Sequence, residues 1–128
     1  MLTLCGMLEA GYDITLEHLI WRQMKGAFGV NLILARHDFP TIDDAIASLP
    51  PDPRVLLIPP GSLGELEAVE LSAYVPLGED TVYCFGAPGE NLVRFVRPED
   101  TVVTLTTPTP TDLMAVTMAG ILLCHVYG

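Results

Sequence analysis

Residues 101–125 read TVVTLTTPTPTDLMAVTMAGILLCH and contain, in order, a strand, a polar loop and an apolar helix. The β-branched run Thr101–Leu105 predicts a buried strand, and Thr111 or Asp112 is a suitable N-cap for the helix that follows. That helix runs to His125 with almost no polar face, so it must be buried on nearly every side. One side is expected to meet a sheet, and a second copy of the chain is the simplest cover for the other.

Earlier parts of the chain also alternate between strands and helices. Apolar runs at 2–8, 30–35, 54–58 and 81–85 predict four further strands. Apolar residues spaced three and four apart predict a helix over about 15–29. A second helix is predicted over 41–49, and a short helical element is predicted to end at 96. One or two helical turns are predicted over 64–71, and an extended surface segment over 74–77. Together these elements predict one α/β domain over residues 1–128, with a mostly parallel sheet flanked by helices.

Composition restricts the class of protein. The chain has 128 residues, half of them hydrophobic, and a net charge of −10 from six Lys and Arg against sixteen Asp and Glu. Nucleic-acid-binding proteins normally show the opposite charge balance. The longest near-continuous apolar run, 113–124, is shorter than the roughly 20 residues of a membrane span, and the first residues lack a signal-peptide pattern. We therefore expect a cytoplasmic protein with no membrane partner.

Cysteines and histidines give no indication of a metal site. Cys5, Cys84 and Cys124 are far apart and set among apolar residues, which predicts buried thiols rather than metal ligands. The three histidines show no spacing typical of a catalytic triad or a metal site, so each is expected to be structural or solvated.

Three unusual loops follow predicted strands: PPG at 59–61, GAPGEN at 86–91 and TTPTPT at 106–111. Ligands of parallel α/β sheets bind at the carboxyl ends of the strands, so these loops mark the expected site. The glycine loop allows backbone N–H groups to approach a ligand closely. It lacks the Lys and Ser/Thr of a P-loop and the third Gly of a dinucleotide fingerprint, so a simple tight turn remains an open interpretation.

The order of these features resembles the SPOUT, or α/β-knot, RNA methyltransferases, in particular the SpoU-like branch that methylates ribose 2′-hydroxyls. Arg22 with the segment 26–30 (GAFGV) is similar to the first family motif, and Gly86 and Gly89 are similar to the glycines of the second. The segments 105–107 (LTT) and 112–114 (DLM) stand where the third motif is expected.

Four positions depart from the family's pattern: Glu17, Gln23, Pro88 and Met114. Glu17 stands where the family has Asn, and strict spacing places Gln23, rather than Arg22, at the family's Arg. Pro88 replaces an acidic residue, and Met114 stands where the family has the Asn that it uses near the reacting ribose.

The resemblance implies a Rossmann-like fold with a C-terminal trefoil knot, and transfer of a methyl group from S-adenosylmethionine to a ribose of tRNA or rRNA. It implies that Arg22 is catalytic. The apolar C-terminal helix separately predicts a homodimer that forms through this helix. Nearby basic side chains are expected to contact the RNA: Lys25, Arg94 and Arg97. The residues expected to hold S-adenosylmethionine, mainly through backbone groups, are Ile58, Pro59, Gly61, Phe85, Gly86, Gly89, Leu105, Thr107 and Leu113.

Two other functions are open to this sequence. One is a catalytically inert relative that keeps the fold as a binding or interaction protein, which the motif departures and the net charge favour. The other is a Rossmann-like protein that binds a different small ligand through the Gly86 loop. From spacing alone, an exposed helix charge near Lys25 is the favoured interpretation of Arg22, and ion pairs to nearby carboxylates are an open alternative for Arg94 and Arg97.

Overall fold

The computed structural model describes residues 1–9, 13–50, 53–78, 80–86, 92–109 and 113–128, and its strands form one parallel sheet. Along the chain the strands are β1 (Thr3–Met7), β2 (Asn31–Ala35), β3 (Arg54–Leu57), β4 (Val69–Glu70), β5 (Val82–Phe85) and β6 (Thr101–Thr104). Their order across the sheet is β2-β1-β5-β3-β6-β4, and every neighbouring pair is parallel. The predicted α/β class with a parallel sheet flanked by helices is confirmed.

Helices cover both faces of the sheet: α1 (Ile14–Phe28), α2 (Ile42–Ala47) and α3 (Ala115–Tyr127). On one face, α1 and α3 pack over β1, β2 and β5, and α2 packs on the other face with the 3₁₀ turn Leu92–Phe95. Asp13 caps the start of α1, because its side chain accepts a hydrogen bond from the backbone N–H of Leu16 at 3.1 Å. Gly29 ends α1 in the left-handed conformation, with φ of 62°.

Trp21 anchors α1 to the sheet. Its side chain is fully buried and lies edge-on to Phe85 of β5, with ring centroids 6.0 Å apart. Gly6 of β1 makes this possible, because a Cβ at Gly6 would lie 2.5 Å from the indole ring. The missing side chain of one residue therefore determines how closely α1 approaches the sheet.

Several apolar residues of α1 are exposed, although their helical spacing predicts that they are buried. Leu16, Leu19 and Ile20 are exposed, while the buried side chains of α1 are Glu17 and Trp21. Apolar residues extend over more of this helix than the sheet can cover, and the sheet takes the side that carries Trp21. Met24 is half-buried and reaches α3, where a Cβ at Gly120 would lie 3.7 Å from the Met24 sulfur.

Helix α3 also leaves one side uncovered within the single chain, and a second copy of the chain is the cover that the sequence predicts for that side. Thr117, Ile121 and Cys124 are exposed, so the expectation of three buried thiols is wrong at Cys124 and correct at Cys5 and Cys84. The α1–α3 face, as we call this surface, consists of Leu16, Leu19, Ile20, Thr117, Ile121 and Cys124. Helix α3 begins at Ala115, with Met114 in the capping position, and the predicted caps Thr111 and Asp112 lie outside the described residues.

The segment after β3 contains the clearest error of the sequence-based prediction. No helix forms over 64–71; the chain instead adds the short edge strand β4 beside β6, between 3₁₀ turns at Pro60–Ser62 and Leu71–Ala73. Two residues are too few for a period-two pattern to be visible in the sequence. The expected surface segment 74–77 is exposed from Val75 onward, whereas the Tyr74 side chain is buried and its hydroxyl lies 3.0 Å from that of Tyr83.

A buried ion pair joins the beginnings of β3 and β6. The Arg54 guanidinium lies 2.7 Å from the Asp100 carboxylate, and the two side chains are only 8% and 0% exposed. Asp100 also accepts the backbone N–H of Arg97 at 2.8 Å and the Arg97 guanidinium at 2.8 Å. Burial alone would raise the pKa of Asp100, but the hydrogen bonds from Arg97 and Arg54 hold it below its ordinary value.

Candidate functional site

A cavity of about 390 Å³ opens where the chain leaves β3 and β6. We call it the exit-loop cavity. Its volume is in the usual range for small-molecule sites, about 300–1,000 Å³. Its walls are Pro59, Pro60, Gly61, Leu105, Thr106, Thr107, Pro108, Thr109, Leu113 and Met118.

The two loops of this cavity are fixed by local hydrogen bonds. Pro59 and Pro60 begin a 3₁₀ turn, closed by the backbone N–H of Ser62 donating to the Pro59 carbonyl at 3.0 Å. After β6, the Glu70 carboxylate accepts the backbone N–H of Thr106 at 2.7 Å and its hydroxyl at 2.8 Å. The short edge strand β4 therefore holds the second loop through Glu70, a residue that sequence reasoning missed because β4 itself was not predicted.

Five of the nine residues expected to hold S-adenosylmethionine line this cavity: Pro59, Gly61, Leu105, Thr107 and Leu113. Ile58 is buried in the core on the α2 side, and Phe85 is buried beside Trp21. Gly86 is half-buried and is not among the lining residues, and Gly89 lies outside the described residues.

The remaining lining residues of the cavity were not predicted. Pro60, Thr106, Pro108 and Thr109 belong to loops that the sequence singled out, so their positions in the chain were a usable signal. Met118 of α3 carried no such signal, because it is one apolar residue in an apolar helix.

Among the residues that the structure describes, those lining the exit-loop cavity include no ionisable side chain. Prolines, leucines and a methionine supply apolar surface, while the threonine hydroxyls and the loop backbone supply polar groups. Such a lining suits a ligand with a flat apolar part, for which backbone groups provide the specificity.

Arg22 and Lys25 lie in a second depression, separated from the exit-loop cavity by β1 and β5. We call it the α1 cleft. It measures about 240 Å³, and its lining residues come from α1, from β2 and from the turn after β2: His18, Arg22, Lys25, Leu32, Leu34, His37 and Asp38. Within one chain, the predicted catalytic residue and the predicted cofactor residues therefore line different sites.

Arg94 and Arg97 are engaged in ion pairs. Both terminal nitrogens of the Arg94 guanidinium donate to the carboxylate of Asp43 in α2, at 2.6 and 2.9 Å. Arg97 contacts Asp100 at 2.8 Å and Glu99 at 3.2 Å. Both arginines therefore form ion pairs with carboxylates, which was the alternative that the sequence left open. The partner of Arg94, however, comes from a distant part of the chain.

Two buried carboxylates link the carboxyl end of β1 to both long helices. The Glu17 carboxylate accepts the backbone N–H of Glu9 at 3.0 Å, and the Glu9 carboxylate accepts the backbone N–H of Ala115 at 3.3 Å. Burial raises the pKa of Glu17 above its ordinary value, and the neighbouring Glu9 carboxylate acts in the same direction. Glu17 therefore has a structural partner at the position where the family motif has Asn.

Neither a metal-binding cluster nor a membrane-spanning helix occurs in the described part of the chain. No group of three His, Cys, Asp or Glu side chains is arranged there to hold a metal ion. Every helix within those ranges is too short or too polar to cross a membrane.

Comparison of the chain with protein-family models, curated proteins and solved structures finds no match. The chemistry of the two sites is therefore inferred from the chain's own residues.

Proposed function

We propose that this chain is a minimal, divergent RNA ribose 2′-O-methyltransferase of the SPOUT type, with a C-terminal knot and S-adenosylmethionine as methyl donor. The observation that carries the proposal is the exit-loop cavity. Loops that the sequence resemblance assigns to the cofactor come together there, with five of the assigned residues in its walls. Its uncharged lining suits the adenine ring, and the loop backbone supplies hydrogen-bonding groups for the rest of the cofactor.

The reaction transfers a methyl group in line. A bond forms between the ribose 2′-oxygen and the methyl carbon, the bond from that carbon to the sulfonium sulfur breaks with its electron pair kept by sulfur, and the hydroxyl proton passes to water. Positioning of the two reactants supplies much of the rate enhancement in such a transfer. We assign Arg22 to the phosphate or ribose of the RNA, and Lys25 to the same strand of RNA.

Arg22 lies across two strands from the exit-loop cavity, so the proposed enzyme needs two copies of the chain. The α1–α3 face provides a surface for that contact. Its exposed side chains, Leu16, Leu19, Ile20, Thr117, Ile121 and Cys124, carry no charge, although each chain has a net charge of −10. Two such chains repel least where they meet through uncharged surface, and α3 would lie at the centre of the homodimer.

RNA binding by so acidic a chain depends on where its few cations are. Arg94 and Arg97 would have to leave carboxylate partners before they could contact phosphates, whereas no ion pair holds Arg22 or Lys25 among the described residues. We therefore place the main RNA contact at α1, with Arg94 and Arg97 as secondary contacts.

A second candidate function, an inert relative that binds without catalysis, is favoured by Glu17. The carboxylate that replaces the family's Asn is buried, and it is engaged by the backbone N–H of Glu9.

Calorimetry with S-adenosylmethionine and its demethylated product tests the cofactor site. We expect binding of both by the wild-type chain and by Gly61→Ala, and loss of binding in Gly61→Trp, where a large ring enters the cavity. A Cβ at Gly61 has no heavy atom within 4 Å, so both variants should fold. Absence of binding by the wild type at millimolar ligand would refute the methyltransferase proposal.

Methyl transfer to total tRNA and rRNA tests catalysis. Arg22→Ala is expected to lose transfer and keep cofactor binding, and Gly61→Trp to lose both. Mixing the two inactive variants should restore about a quarter of the wild-type rate if each site uses two copies, because half of the dimers then carry one intact site. No recovery would place the reacting groups in one chain, and cofactor binding with no transfer to any RNA would favour the inert relative.

Light scattering after size exclusion tests the homodimer. Ile121→Asp, on α3, is expected to give monomers, because two charges would be buried at the contact. Val75→Asp is the matched control, since Val75 is exposed outside the α1–α3 face. A wild-type monomer, or dimers that persist in Ile121→Asp, would contradict this contact.

A further inference from the structure

The α1 cleft collects ionisable side chains that are distant in the sequence. His18, Arg22 and Lys25 lie within two turns of α1, and His37 and Asp38 follow β2. The chain reaches this position by a sharp turn in which Arg36 adopts the left-handed conformation, with φ of 68°. This turn brings the His37 ring against the His18 ring, with centroids 4.1 Å apart.

Arg22 and Lys25 stand out among the six basic residues of the chain. Arg54, Arg94 and Arg97 contact carboxylates, and the Arg36 guanidinium donates to the Leu8 carbonyl at 3.2 Å. Within the described ranges, Arg22 and Lys25 take part in no ion pair, although acidic residues outnumber basic ones in the chain. Two unpaired cations side by side at a concave surface provide a place for an anion.

Asp38, the acidic residue of the cleft, is already engaged. One of its carboxylate oxygens accepts the backbone N–H of Leu34 at 2.8 Å, and the other lies 3.0 Å from Nδ1 of His37. With both histidines neutral, the lining side chains Arg22, Lys25 and Asp38 carry a formal charge of +1, and protonation of both histidines raises it to +3.

We propose that the α1 cleft binds a phosphate group, held by Arg22 and Lys25 and by the paired rings of His18 and His37. The cleft volume of about 240 Å³ equals the liquid volume of about eight water molecules, which accommodates one tetrahedral oxyanion with part of its hydration. Arginine and lysine are the usual ligands of phosphate, and a protonated histidine adds a further charged donor. This site deepens the proposed function, which already assigns Arg22 and Lys25 to the RNA, and rests on it for that source of phosphate. It adds both histidines, and one chain completes it without cofactor.

Binding is expected to be coupled to protonation. Burial lowers the pKa of His18, and the neighbouring His37 and Arg22 act in the same direction, while Asp38 opposes them. His18 is therefore neutral near neutral pH, and an anion in the cleft stabilises its protonated form. Linkage then requires that the anion bind more tightly as the pH falls.

Sulfate is the probe that tests this site, because its charge does not change over the pH range in which histidines titrate. We expect saturable binding in a calorimetric titration at constant ionic strength, weakened at least about tenfold in Arg22→Gln and in Lys25→Gln. Ser72→Asp is the matched control: it changes the net charge by the same one unit, but Ser72 is exposed beyond β4, at the opposite edge of the sheet. The control should bind sulfate within about twofold of the wild type.

The pH dependence of sulfate binding distinguishes a specific site in the α1 cleft from a general effect of the protein's net charge. Wild-type affinity for sulfate should rise several-fold from about pH 8 to about pH 6, and His18→Gln should reduce that rise. Equal weakening in Ser72→Asp and Arg22→Gln, a pH profile unchanged in His18→Gln, or no saturable binding of sulfate would each overturn the proposal. None of these results depends on S-adenosylmethionine, so this site and the methyl-transfer proposal can fail separately.

The source of the phosphate is distinguished by two further probes. A short oligouridylate that binds more tightly than sulfate, with affinity falling steeply as salt rises, would identify a phosphodiester backbone as the ligand. Tighter binding of uridine 5′-monophosphate than of the oligomer would identify a phosphate monoester. Both results support a phosphate site, and competition of both probes with sulfate in the wild type but not in Arg22→Gln assigns it to the cleft.

Discussion

The exit-loop cavity and the α1 cleft lie on the same sheet, separated by β1 and β5, and they differ in the groups that they offer a ligand. In the described part of the chain, the cavity is lined by prolines, threonines and apolar side chains with no ionisable group, whereas five of the seven residues lining the cleft are ionisable. The cavity therefore depends on the path of its loop backbone, and the cleft depends on the placement of individual side chains. A change that shifts β3 or β6 should therefore affect ligand binding in the exit-loop cavity. A change that shifts α1 should affect ligand binding in the α1 cleft.

Removal of the Asp100 carboxylate is expected to cause the largest loss of stability. It should act on β3 and β6, the strands whose exit loops line the cavity. Asp100→Asn leaves the Arg54 guanidinium buried without a counter-charge, which typically costs about 3–5 kcal/mol in the free energy of unfolding. Urea unfolding at neutral pH measures this loss. Asp43→Asn is the matched control, because the carboxylate of Asp43 pairs with Arg94 at the exposed surface and its removal should matter far less.

The same variant predicts a dependence on pH. The pKa of Asp100 is held below its unfolded value, so its contribution is complete above about pH 4 and is lost as the pH falls through the lower folded pKa. The difference in stability between the wild type and Asp100→Asn should therefore shrink in acid. A difference that stays constant down to the acid transition would show that the charge of Asp100 is not the cause.

Insertion of a methyl group under α1 should have the next largest effect, and should act on the cleft side. In Gly6→Ala the new Cβ meets the Trp21 ring, and overpacking of this kind costs about 1–3 kcal/mol. Because α1 must move, sulfate binding in the cleft should weaken more than ligand binding in the cavity. Gly26→Ala is the control: a Cβ there meets nothing within 4 Å, and helix propensity predicts stabilisation by about 0.5–1 kcal/mol. Equal losses at the two sites in Gly6→Ala would show that they do not respond independently.

Glu70→Gln is expected to have the smallest effect, and to act on the cavity alone. The variant loses one of the two hydrogen bonds to Thr106, worth about 1 kcal/mol at a partly exposed position. Cofactor affinity should fall about fivefold, while sulfate affinity in the cleft stays unchanged. Glu67→Gln removes an exposed carboxylate three residues earlier in the chain and serves as the control. A cofactor affinity unchanged in Glu70→Gln would remove Glu70 from the support of the loop.

The sequence predicted most of the sheet because its strands are continuous apolar runs. The predicted and observed bounds of β3 and β6 agree within one residue, and the loops that follow them are the walls of the cavity. Strand β4 escaped prediction because its pairing with β6, rather than a local pattern, makes Val69–Glu70 a strand.

The side of α1 that faces the sheet was harder to predict than the helix itself. Its apolar residues extend around the helix past the buried side, and Gly6, distant in sequence, provides the space that Trp21 fills. The α1 cleft was not predicted for a related reason. The sequence shows Arg22 and Lys25 as a pair, but the approach of His37 to His18 depends on the turn at Arg36. Such contacts between distant residues leave no periodic signal in a single sequence.

The three cysteines differ in their accessibility to solvent. Their labelling rates can therefore report two processes, the unfolding of the sheet and the association of two chains. Cys5 and Cys84 face each other on neighbouring strands and are fully buried; their mutual hydrogen bond and burial raise the pKa of the Cys84 thiol. An alkylating reagent should reach these two thiols only when the sheet opens, so their labelling rate reports unfolding. Cys124 is exposed in the single chain and lies on the α1–α3 face. Slower labelling of Cys124 at higher protein concentration would measure the association of two copies in the same reaction tube.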